Sequence, residues 1–91
     1  MKAQLIRVNE EPKEITPENG TDFGLQELYR TLECDLIQTI MLDENTIMIM
    51  DEEGKFRGEP NLTATTIAQG RIFAGDWVAG HVIVCPSNML R

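Results

Sequence analysis

Residues 35–51 read DLIQTIMLDENTIMIMD, and this stretch decides the fold. Two runs rich in Ile, Leu, Met and Thr flank a polar triplet, Asp43, Glu44 and Asn45. Apolar runs joined by a short Asp/Asn connection are the mark of an antiparallel hairpin. The second arm has no polar face. Side chains alternate along a strand, so Ile47 and Ile49 fall on one side and Met48 and Met50 on the other.

Upstream, residues 3–8 form a short strand with apolar residues on both faces. Pro12 and Pro17 then forbid a regular helix, which predicts a loop with an edge-like extension around Ile15. Asp22 can cap a helix in which Leu25, Leu28, Tyr29 and Leu32 make one apolar stripe. Gln26, Glu27 and Arg30 take the wet side, and Tyr29 reads as a core-rim residue.

Downstream, DEEGKF reads as a turn with Gly54 left-handed and residues 55–57 returning as a brief hairpin arm. Pro60 and Asn61 open a second helix over residues 61–69, which Gly70 ends. RIFAGDWVAG reads as a short strand and a turn. HVIVC is the last strand, stopped by Pro86. The order is strand, helix, strand, strand, helix, strand. That is the split βαβ, or ferredoxin-like, order of an α+β domain. It predicts a four-stranded antiparallel sheet with two short helices on one face, other small α+β arrangements being the alternative.

The 91 residues suit a single domain, residues 1–91, with one core and little room for a deep cleft. A 42% hydrophobic fraction separates the chain from disordered acidic tails. Aromatic residues are scarce, so aliphatic residues and five Met must fill the interior. The net charge is −7, with eight Lys and Arg, which disfavours general nucleic-acid binding through a broad basic face. The acids fall at Glu10–Glu11, Asp43–Glu44 and residues 51–53, each in a predicted turn. Such spacing serves solubility and is sparser than mimicry of a nucleic-acid backbone demands.

Catalytic and metal signatures are missing from the sequence. Cys34 and Cys85 form no CxxC and, with His81, make a poor zinc set. They read as reduced, partly buried thiols of a cytoplasmic protein. His81 starts a strand and has no nucleophile-elbow partner. No glycine-rich phosphate loop occurs, and DEEGKFRGE lacks the alternating acids of a calcium loop. The expectation is a non-enzyme without cofactor or metal. Met1–Lys2 leads straight into a strand, which reads as no leader, and no apolar stretch is long enough to span a bilayer.

One stretch carries binding chemistry. In GKFRGEPNLTATT, Lys55 and Arg57 precede a helix start at Asn61, Thr63 adds a hydroxyl, and Arg71 follows the helix. Free N–H groups at a helix start attract anions, so Lys55, Arg57, Asn61, Thr63 and Arg71 form a candidate phosphate corner. Asn61 serves equally well as an ordinary N-cap.

The segments LQELYRTLECDLIQTIML, IMIMDEEGKFRGEPNLTAT and GDWVAGHVIVC together resemble the small bacterial and phage family called domain of unknown function 3846. The chain keeps that pattern at Asp51, Gly54, Pro60, Asn61 and Ala64. It departs at Glu33–Cys34, where relatives often carry a Gly pair, and at Leu62–Thr63, where they often carry Arg. The resemblance implies a phage or mobile-element setting and no catalytic residues.

Two functions are expected. One is a non-enzymatic module that sequesters a phosphate-bearing ligand, such as a defence nucleotide signal. The other is an acidic interaction module that blocks or adapts a host protein. A homo-oligomer, in the first place a two-fold dimer packed through the open sheet face with Met48 and Met50, is also expected. Helices on one sheet face would leave Met48 or Ile47 exposed on the other, with neighbours such as Ile37 and Met41, unless residues 10–20 or 73–77 fold across.

Overall fold

The computed structural model describes residues 3–90, and of Arg57 the backbone alone. The Met1–Lys2 leader reading and the Arg57 side chain lie outside the described residues. In chain order the elements are β1 (Ala3–Ile6), β2 (Lys13–Ile15), α1 (Leu25–Leu32), β3 (Ile37–Met41), β4 (Thr46–Asp51), α2 (Gly54–Arg57), α3 (Leu62–Ala68) and β5 (Val82–Pro86). A single 3-10 turn, Ser87–Met89, follows.

The class is α+β, as expected, but the sheet is not the four-stranded ferredoxin-like one. Five strands lie in the order β2-β1-β5-β4-β3, all antiparallel. In the split βαβ arrangement the last strand would be an edge. Here β5 lies between β1 and β4. Its composition explains the position: Val82, Ile83 and Cys85 are buried, and no side of VIVC is polar enough to face water. The extension foreseen around Ile15 becomes the short edge strand β2.

The helices cover opposite faces, which corrects the one-face expectation. Leu28 and Leu32 of α1 pack with Ile47, Ile49 and Ile83. Ala64 and Ala68 of α3 pack with Met48, Met50 and Val82. Both alanines are fully buried, and their small side chains let the α3 backbone approach the sheet. Met48 is 0% exposed and Met50 8%, so the bare apolar face expected to drive dimerisation is closed by the chain's own helix. The argument for a dimer through Met48 and Met50 falls with it. Apolar alternation on both sides of β4 is satisfied within one chain.

Four local readings also change. RIFAGDWVAG holds no strand, only turns and the single Pro60–Ala79 bridge. Asp22 does not cap α1; the N-cap is Gly24, and the Asp22 carboxylate accepts a bond from the Asn19 amide (2.8 Å). Residues 55–57 form the single-turn α2 instead of a third hairpin arm. Gly54 has no positive φ. Glycine is required there for space, because an added Cβ would sit 2.4 Å from the Ala79 carbonyl oxygen.

Glu33 ends α1 in the left-handed region, with φ 56°. A side chain there costs about 1 kcal/mol, whereas glycine takes the conformation freely. Glu33→Gly is expected to stabilise the protein by about 0.5 kcal/mol, the gain being partly offset by chain entropy. The contacts it gives up, an ion pair with Arg7 and a contact with His81, both at 3.5 Å, are exposed at the glutamate end and contribute little. Urea denaturation checks this. Glu33→Val should move the midpoint in the opposite direction.

Both cysteines are buried and free of a disulfide. Burial pushes the Cys85 thiol up to about 11. Thiolate is the reactive form, so alkylation of Cys85 at pH 8 should proceed only as fast as the chain opens. Mass spectrometry of iodoacetamide-treated protein checks this; the site should label fully in denaturant and hardly at all without it.

Candidate functional site

Asn61 is the structural centre of the stretch that reads as an anion corner. It is 1% exposed and every polar atom of its amide is engaged. The Oδ1 atom accepts the Ala64 N–H (3.0 Å), which caps α3. The Nδ2 atom donates to the Ile6 carbonyl (3.0 Å) and the Gly80 carbonyl (2.9 Å). One side chain thus ties the end of β1, the start of α3 and the segment entering β5. Its backbone N–H adds a bond to the Val78 carbonyl (2.8 Å). Thr65 completes the joint, its hydroxyl accepting the Val78 N–H (2.9 Å) and donating to the Asn61 carbonyl (2.8 Å).

Of the predicted cations whose side chains are described, Lys55 and Arg71 do not converge on Asn61. The Lys55 ammonium donates to Asp76 Oδ1 and stands 4.6 Å from the centre of the Trp77 ring. That ammonium, and then the Trp77 N–H, hold the Asp76 carboxyl below its ordinary value. Arg71 donates from Nε to the Leu42 carbonyl (2.9 Å), beside the β3–β4 hairpin. Lys55 follows the other end of β4, roughly 17 Å away by the rise per residue of a strand. Thr63 is exposed on the first turn of α3.

Two of the depressions adjoin this stretch. A cleft of about 430 Å³ is lined by Val8, Leu32, Glu33, Asp51, Glu59 and His81. His81 is oriented by the turn that follows β1, Nδ1 accepting the Val8 N–H (3.1 Å), which leaves Nε2 facing Glu33. This fits the expected strand-end role. Among the described residues no three His, Cys, Asp or Glu side chains group as a metal set.

The second is a groove of about 170 Å³ beside β3. Gln38 and Ile40 make its floor, α2 one wall with Lys55 and Phe56, and Asp76 and Trp77 another. Phe56 is 90% exposed and Trp77 46%. Phe73 is 87% exposed and opens the turn whose carbonyl accepts the Asp76 N–H (2.9 Å). Asp51 and Glu52 line the same groove. Sequence reasoning misses this surface. The signal for it lies in Phe56, Phe73 and Trp77, which follow no helical or strand period that would bury them.

The arrangement joins α2 to the 78–80 segment at Gly54 and Gly58, the fold's closest backbone approaches among the glycines described. A match to the model of a domain of unknown function (DUF3846) runs over residues 1–88. The chain belongs to the DUF3846 family. No curated protein and no solved structure matches it. Residues that carried the resemblance to DUF3846 in the sequence now have physical roles. Gly54 makes room for Ala79, Pro60 bridges to Ala79, Asn61 ties three segments and Ala64 seats α3. No described helix is long and apolar enough to cross a membrane.

Proposed function

We propose that this DUF3846 protein is a small interaction module that grips a basic surface of another protein through Phe56, Phe73 and Trp77. One observation carries the reading. The chain has only five aromatic residues; Phe56 and Trp77 line one groove together with Asp51 and Glu52, and Phe73 stands exposed in the segment that leads to Trp77. Exposed large aromatics are costly to leave bare, and they anchor interfaces where they occur. Asp51, Glu52 and the net charge of −7 favour a partner of opposite sign. A role in blocking or adapting a host protein agrees with the mobile-element setting that the resemblance implies. Capture of a phosphate-bearing ligand has less support. It needs cations gathered in one place, and Lys55 and Arg71 are tied to separate internal acceptors.

The test compares tagged wild-type protein with a Phe56→Ser, Phe73→Ser double variant in affinity capture from the source cells. Both side chains are exposed, so the melting temperature should change little. A protein retained by the wild type and lost by the double variant is the expected result. Equal capture by both overturns the reading.

A further inference from the structure

We propose that the partner docks by adding an extended, cationic strand to the free edge of β3. The proposal rests on reading the aromatic groove as an interaction surface, and it specifies how the partner is held.

The two sheet edges differ in kind. At one, β2 has three residues, follows Pro12 and carries Lys13 and Glu14, which is how natural edges are protected. At the other, β3 has five residues, IQTIM, with no charge and no proline. Its backbone polarity follows from two bonds to the neighbouring strand side. Leu42 donates to the Thr46 carbonyl (2.8 Å) and Glu52 to the Leu36 carbonyl (3.1 Å). In an antiparallel pair, inward and outward residues alternate. The N–H and C=O groups of Ile37, Thr39 and Met41 therefore point away from β4. Among the described residues no hydrogen bond occupies them. Such a row is a template for one more strand.

Side chains and charge specify the occupant. A strand laid along this edge directs every second side chain to the face of Gln38 and Ile40, where the groove opens toward Phe56 and Trp77. The other side chains fall beside Met41, which is 52% exposed. Acids stand at both ends of β3: Asp35 before it, Asp43 and Glu44 after it. A second copy paired about Thr39 would set Asp35 against Asp43 of the other copy, and directly opposed like charges destabilise a pair. A partner strand with Lys or Arg toward its two ends meets opposite charge instead.

The probe is a synthetic peptide of alternating Val and Thr with Lys at both ends, added to the intact chain. Amide exchange at Ile37, Thr39 and Met41, followed by NMR, reads strand addition. Fluorescence of Trp77, the sole tryptophan, reads the groove. Slowed exchange at all three amides is expected, lost when alternate peptide amides are N-methylated. Replacing the terminal Lys by Glu should weaken binding at least about tenfold, an effect that added salt removes. Thr39→Pro removes an outward N–H and leaves the β4 ladder intact, so it should keep the fold and abolish protection at Ile37 and Met41. A Trp77 response with unchanged exchange, or with indifference to N-methylation, overturns strand addition and leaves the groove reading standing. Concentration-dependent protection of the three amides without peptide assigns the edge to a second copy and overturns the proposal. No response in exchange overturns it as well.

Discussion

Asn61→Asp should cost the protein most of its stability at neutral pH and give part of it back in acid. The substitution keeps size and the cap to Ala64. It replaces the two N–H donors that serve the Ile6 and Gly80 carbonyls with a carboxylate oxygen. An ionised carboxylate facing two carbonyls in a fully buried site is expected to lose about 3–5 kcal/mol, much of what a small domain has. The introduced group has its folded pKa raised above its unfolded value of about 3.9. The ionisation penalty is therefore absent below about pH 4. Above that it grows by about 1.4 kcal/mol for each step of one in pH, until the folded pKa is passed. Asn61→Ala loses the cap and leaves both carbonyls bare, with no new titration. Denaturant melts of the two variants across pH 4 to 7, each relative to wild type, are the check. A pH-independent Asn61→Asp penalty would contradict the buried three-way joint.

Gly54→Ala should destabilise although it places a better helix former in α2. At an exposed helical position alanine gains about 1 kcal/mol over glycine. Here the added Cβ would come within 2.4 Å of the Ala79 carbonyl oxygen, a backbone atom that cannot swing aside. Moving α2 away from the segment that enters β5 is expected to cost about 2 kcal/mol net, roughly 10 °C in melting temperature for a chain of this length. Gly20, where an added Cβ meets nothing within 4 Å but φ is +84°, is the contrast. Alanine there should cost only about 1 kcal/mol of backbone strain. Thermal melts of both variants separate a steric requirement from a conformational one.

The hairpin, α3 and both ends of α3 are legible in the sequence because local chemistry decides them. Asp43 to Asn45 supply a turn, and Asn61 is both a strong N-cap in sequence and the cap in structure. The sheet order is not legible. HVIVC reads the same whether it lies at an edge or in the middle, and only competition for burial puts it between β1 and β4. The double-faced TIMIMD reads correctly as a strand and wrongly as an open face, because the chain has a second helix to lay on it. Gly54 looks like a turn glycine, since sequence shows that glycine is needed but not whether for φ or for space. The candidate corner is half visible. Asn61 stands out by type, but its amide serves the fold. Lys55 and Arg71 look free in sequence and are held by Asp76 and by the Leu42 carbonyl. The aromatic groove needs three segments far apart in sequence to meet, which no local pattern announces.

The central claim is that the surface around Phe56, Phe73 and Trp77 meets another protein. Site-specific photocrosslinking tests it most directly, with a photoreactive residue placed in turn at Phe56, at Phe73 and at Gln26, an exposed site on α1. The expected result is one common crosslinked protein from positions 56 and 73 in the source cells and none of it from position 26. The same protein captured equally from Gln26, or no crosslink at either aromatic position, would contradict the claim.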